Sequence, residues 1–194
     1  MNRELKRVTI LIFSMFLSLL IAGSLIQFVN SDSLMADGKN PRSLYDSYKT
    51  QRGSILANGK LIAWSIKTDD KYQYLREYDN EAYSAVTGFY SLSQGTTGIE
   101  NSLDSYLTGK NSSQFFEQIN ALLSGNPMAG ASVYLTIDPK VQQAAYEAMG
   151  NLTGAVVAIA PSTGKILAMV STPGFNANLL AVHNPALASN NYQQ

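Results

Sequence analysis

Cysteine is absent from this 194-residue chain, which removes disulfides, thiolate metal sites and a cysteine nucleophile together. Histidine is nearly absent: His183 is the only one, so histidine-rich metal sites are excluded and a Ser-His-Asp triad would have to use that side chain. It stands in His183-Asn184-Pro185, where turn chemistry predicts a surface loop. Net charge is missing as well, with 14 Lys plus Arg set against 14 Asp plus Glu. No basic cluster follows the first seven positions, which argues against a nucleic-acid partner. No internal repeat is visible, and neither a metal site nor a cofactor is expected.

One long apolar run is present. Val8 to Val29 reads VTILIFSMFLSLLIAGSLIQFV without a charge, and as a helix it would extend about 33 Å, enough to span a bilayer core. Arg3, Lys6 and Arg7 precede it and no equivalent cluster follows. The expectation is therefore a single-pass plasma-membrane anchor with a cytoplasmic N-terminus and an extracytoplasmic bulk. A cleaved signal peptide is the alternative, but its apolar core is usually shorter.

The remaining length suits one complete domain, or one domain and a fragment of another. Residues 1–7 read as a cytoplasmic tail, 8–29 as the anchor, 30–48 as a polar linker, 49–131 as a first domain and 132–194 as the start of a second, incomplete one. The expected fold class is α+β. Asn58-Gly59, flanked by Ser54 to Leu56 and Leu61 to Ile66, predicts a β-hairpin. Asn111-x-x-Gln114 predicts the cap of a helix with Phe115, Phe116, Ile119, Leu122 and Leu123 on one side, ending at Gly125. Val133, Leu135 and Ile137 alternate as a strand that runs into Asp138-Pro139, an N-cap and a preset first helical residue. The helix that follows presents Val141, Ala144, Ala145, Ala148 and Met149 on one face and stops at Gly150. Ala155 to Ala160 and Ile166 to Ser171 read as two antiparallel strands covered on both faces. Only a short polar tail is expected after Pro173.

Several motifs imitate catalytic ones. Ser162-x-x-Lys165 spells a serine/lysine dyad, but Pro161 and Gly164 frame a turn, and only a helix would bring both side chains to one face. Ser189-Asn190-Asn191 spells S-x-N in the tail, while Thr108-Gly109-Lys110 and Thr163-Gly164-Lys165 are reversed relative to K-T-G. The glycine-lysine pairs lack the remainder of a phosphate-binding loop. Asp69, Asp70, Glu77, Asp79 and Glu81, interleaved with Lys67, Lys71 and Arg76, read as a solvated acidic surface.

Taken in order, four segments resemble the class B penicillin-binding proteins, in particular the penicillin-binding protein A type of actinobacteria. The first is Arg52-Gly53-Ser54-Ile55 with Asn58-Gly59 and Ile62-Ala63. It is one residue shorter than the family's R-G-x-I-x-D-R-N-G and lacks the Asp-Arg pair. The second is Tyr74-Leu75-Arg76 with Val86-Thr87-Gly88-Phe89-Tyr90-Ser91-Leu92. The third and most specific, Gly95-Thr96-Thr97-Gly98-Ile99-Glu100 through Leu107-Thr108-Gly109, resembles G-x-x-G-[IL]-E. The fourth is Thr136-Ile137-Asp138 with Val141-Gln142, then Gly154-Ala155-Val156-Val157-Ala158 to Ser171-Thr172-Pro173.

The resemblance implies a pedestal, or dimerisation, domain followed by the first helix and hairpin of a transpeptidase domain. It also implies a serine D,D-transpeptidase that cross-links peptidoglycan and binds β-lactams only where the full transpeptidase domain is present, with other cell-wall synthesis or division proteins as partners. No catalytic residue is expected here. Arg52, Gly53, Gly98, Glu100 and Asp138 are expected to build and orient the fold. A non-catalytic envelope scaffold and a small secreted serine hydrolase using Ser162 and Lys165 are the alternatives.

Overall fold

A computed structural model describes residues 3–29, 47–114, 119–120, 123–125 and 129–193. The chain divides into two compact units, residues 1–43 and 44–194. In the first, α1 (Arg3–Ser24) continues as a π-helical turn, Leu25–Val29. The segment Leu5–Gln27 has a mean hydropathy of 2.4 and is long and apolar enough to cross a membrane. Two of its hydroxyls bond within the helix, Thr9 Oγ1 donating to Leu5 O and Ser18 Oγ to Met15 O, which spares them an apolar setting without a partner.

The second unit is built on a four-stranded sheet of order β3-β2-β1-β6. Strands β1 (Ile55–Ala57) and β2 (Lys60–Lys67) form the hairpin expected at Asn58-Gly59, which take φ of 45° and 85°. β3 (Tyr74–Tyr78) pairs antiparallel with β2 on one side. Short helix α2 (Ser84–Thr87) and the two-residue strands β4 (Tyr90–Ser91) and β5 (Gly95–Thr96) follow, then α3 (Gly98–Ser102) and α4 (Asp104–Leu107). β6 (Val133–Leu135) returns to lie parallel with β1. Ile55, Ile62, Tyr83 and Leu107 are fully or nearly fully buried at the centre.

Helix α5 (Pro139–Met149) packs on the antiparallel hairpin β7 (Gly154–Ile159) and β8 (Ile166–Thr172), and α6 (Pro185–Tyr192) closes the described chain. Asp138 Oδ1 accepts from Lys140 N and Val141 N, the N-cap read from the sequence, and Gly150 ends α5 at φ 47°. Residues 160–165 form the expected turn. Asn111 Oδ1 accepts from Ser113 N at the start of the next predicted helix, whose residues 115–118 and 121–122 lie outside the described residues.

Five readings need correction. β7 is not covered on both faces: Val157 and Ile159, which share one face, are 52% and 56% exposed. The stretch after Pro173 is not merely a tail: Ala177, Leu180, Ala181 and Ala188 are buried. It ends in α6, capped by Asn184 with Pro185 at the first turn, the same signature as Asp138-Pro139. Arg76 does not belong to a solvated patch but is 2% exposed, since it shares the inward side of β3 with Tyr78. His183 is not on a free loop: its side chain is 13% exposed and docked against the Thr68–Gln73 turn. Tyr48, at the end of the predicted linker, is buried and stacked on Tyr90.

Candidate functional site

Four of the five residues singled out from the sequence meet at one place. Arg52 arrives just before β1, and Glu100 lies in the first turn of α3 with no exposure at all. Arg52 Nε reaches Glu100 Oε2 at 2.5 Å and its Nη1 reaches Asp104 Oδ1 at 2.6 Å, while Nη2 donates to the Glu100 backbone carbonyl. From β3, Arg76 Nε reaches the other carboxylate oxygen, Oε1, at 2.6 Å, and its Nη1 donates to Gly53 O at 2.9 Å. Tyr78 Oη adds a longer donation to Oε1 at 3.3 Å.

Glycines make room for this cluster. A Cβ on Gly53 would lie 1.9 Å from Ala131 O, so the chain before β1 can pass the segment leading to β6 only without a side chain. Gly98 takes φ +58°, and a Cβ there would lie 2.7 Å from Gly88 N. That combination of left-handed backbone and close approach is open to glycine, and it turns the chain so that Glu100 points inward. The fifth residue, Asp138, stands apart and caps α5.

Burial on its own pushes the Glu100 carboxyl up, but Arg76 and Arg52 outweigh it and hold the group below the usual carboxylate range. Burial also works against the charge of Arg52, yet Glu100, Tyr90 and Asp104 raise it further above its ordinary value. The Arg52 guanidinium lies 4.3 Å from the Tyr90 ring centre, a cation–π contact in a dry setting. Burial pushes the Tyr90 hydroxyl up to about 12. A cavity of about 10 Å³ beside the cluster is lined by Ser47, Thr50, Ser65 and both arginines.

This arrangement ties the segment before β1, strand β3 and helix α3 together. Both carboxylate oxygens of Glu100 are engaged by guanidinium groups, so neither is free to take a proton from a substrate, and arginine does not act as an acid near neutral pH. Among the described residues no group of three or more His, Cys, Asp or Glu side chains could hold a metal. Ser162 and Lys165 sit exposed on the β7–β8 turn, where Thr163 N and Gly164 N both donate to Ala160 O, and nothing orients one side chain toward the other.

The sequence reading gave no buried structural role to three side chains that have one. Arg76 was detectable, because Tyr74, Arg76 and Tyr78 alternate in one phase of a strand. Gln142 is fully buried: its Nε2 donates to Ala82 O at 2.6 Å and Met169 O at 2.8 Å, and its Oε1 accepts from Met169 N at 2.8 Å. Asn178 likewise accepts from Tyr78 N and donates to Tyr78 O, both at 2.9 Å. Neither amide carries a local signal, since each partner is remote in sequence.

Residues 52–133 match the family described as the penicillin binding protein A dimerisation domain; Arg52 opens that span and β6 closes it. The whole chain aligns with the peptidoglycan D,D-transpeptidase PbpA of Mycobacterium tuberculosis at 41% identity and with that of Mycolicibacterium smegmatis at 43%. It spans 41% of the length of each. Among solved structures, penicillin-binding protein A from M. tuberculosis, as an imipenem acyl-enzyme, is similar over 77% of this chain and 36% of that one, with a TM-score of 0.74 and 43% identity. Pseudomonas aeruginosa PBP2 is similar over 72% of this chain and 33% of its own, with a TM-score of 0.55 and 29% identity.

Proposed function

Because this chain belongs to the class B penicillin-binding proteins, of the penicillin-binding protein A type, we propose that it serves as the membrane-anchored pedestal of a peptidoglycan D,D-transpeptidase. The observation that carries this reading is the alignment of the whole chain with two such transpeptidases. The buried Arg52–Glu100–Arg76 cluster fits it, as a rigid joint inside the matched domain.

In this reading α1 holds the protein at the plasma membrane, with Arg3, Lys6 and Arg7 keeping the N-terminus cytoplasmic and the sheet outside. The pedestal occupies residues 49–131, and the transpeptidase domain begins at 132, with β6 as the joint between them. Acyl transfer through a serine, and covalent capture of β-lactams, belong to the further length that the relatives possess. Peptidoglycan and other cell-wall synthesis or division proteins are the partners of the whole.

A chimera tests this. The chain is fused to the portion of the M. tuberculosis relative that follows the aligned region, and both chain and chimera are treated with a fluorescent penicillin. The chimera should take a covalent label and the chain alone none. A labelled chain, or a folded chimera that stays unlabelled, overturns the proposal.

A further inference from the structure

Arg76 carries more hydrogen-bond donors than its surroundings engage. Its Nε donates to Glu100 Oε1, and its Nη1 to Gly53 O and, at 3.3 Å, to Ser65 Oγ. Its Nη2 is buried and meets no acceptor among the described residues, although the residue as a whole is only 2% exposed. A guanidinium cannot shed a proton to escape such a setting, so Nη2 calls for an acceptor from outside the chain.

Beside it lies the cavity of about 10 Å³, with Ser47, Thr50, Ser65 and Arg52 as its other polar walls. About 10–15 Å³ is the least space that holds one water molecule, which also needs polar partners on more than one side. Ser65 decides what kind of acceptor suits the place. Its hydroxyl proton is committed to Arg52 O at 3.1 Å, so toward the cavity Ser65 Oγ can only accept. A ligand lying between Nη2 and Ser65 must accept from one and donate to the other, as water does and a halide cannot. Charge gives the same answer. Arg52 and Arg76 are already matched by Glu100 and Asp104, and an added anion would be a buried charge without a counterpart.

We propose that this cavity is the binding site of a single buried water, which accepts from Arg76 Nη2 and donates to Ser65 Oγ. The site lies where three parts of the unit meet: Ser65 comes from β2, Arg76 from β3, and Ser47 and Thr50 from the stretch before β1. That stretch is also held by Tyr48, whose ring stacks on Tyr90 with centres 4.5 Å apart and whose hydroxyl donates to Tyr90 O at 3.3 Å. The water extends the Arg52–Glu100–Arg76 cluster to the wall that this entry stretch forms.

The test is a crystal structure of the full chain in detergent, grown from chloride and in parallel from bromide. Both crystals should show one ordered peak within hydrogen-bond reach, about 2.7–3.2 Å, of Arg76 Nη2 and Ser65 Oγ, with no anomalous scattering at the bromine edge. An anomalous peak at that position makes the site one for anions and overturns the proposal. A cavity without a peak, or an Nη2 turned onto a protein acceptor, overturns it as well. The Ser65→Ala variant removes the acceptor and keeps the Arg76–Glu100 pair, so there the peak should move or lose occupancy. An unchanged peak in that variant would sink the bridge to Ser65.

Discussion

Glu100 carries two carboxylate oxygens and meets two buried arginines, one oxygen to each. Removing the anion leaves both guanidinium groups buried without their partner, so Glu100→Gln should cost about 3–5 kcal/mol, read as a fall in the urea midpoint of the chain in micelles. Asp104, whose side chain is 46% exposed, holds the same arginine from the solvent side. Asp104→Asn should cost no more than about 1 kcal/mol. The Glu100 carboxyl is held below its ordinary range, so its stabilising share is present above that range and lost as pH falls through the lowered value. Acid unfolding of wild type should therefore gain a component as pH falls below the ordinary carboxylate range, and the Glu100→Gln variant should lack that component. The motifs around Arg52 and Glu100 were legible as chemistry-free landmarks. Their meeting was not, because 48 residues separate them.

At the scale of elements, two open strand edges are covered by carboxamide side chains. Gln142 serves Met169 on β8, helped by Asp138 N donating to Leu167 O, and Asn178 serves Tyr78 on β3. Each amide supplies one donor and one acceptor, so it satisfies a strand residue as a neighbouring strand would. Gln142→Leu should cost about 2–3 kcal/mol through the groups it leaves unpaired, and the Met169 amide should lose hydrogen-exchange protection well beyond that of Val156. The cap on α5 offers a milder comparison: Asp138→Ala should cost about 1 kcal/mol, while Asp138→Asn, which keeps an acceptor, should cost a fraction of that. Turns and caps were readable because their partners lie two or three residues away, as in Asn58-Gly59 and Asp138-Pro139. Asn184-Pro185 carries the same signature, yet a loop reading obscured it.

At the scale of the molecule, β7 presents Val157 and Ile159 to solvent although its sequence reads as interior. In this chain the pair Val157→Thr and Ile159→Thr should change stability by no more than about 0.5 kcal/mol. In the chimera with the relative's remaining length, the same pair should lower Tm if that length covers the strand, and thermal melts of the two proteins side by side decide it.

The sequence alone determined the features whose energies are local or additive. An uncharged run of membrane-spanning length needs no tertiary partner to be apolar, a hairpin turn is set by two residues, and a helix start by its cap. Their order along the chain also sufficed to place it in a family. Only the tertiary structure decided that Arg76 faces inward, that His183 is docked and that Gln142 and Asn178 cover strand edges. Each of those depends on a partner 24 to 113 residues away, and whether a polar side chain is buried is settled by what the fold brings to meet it, not by its neighbours in sequence.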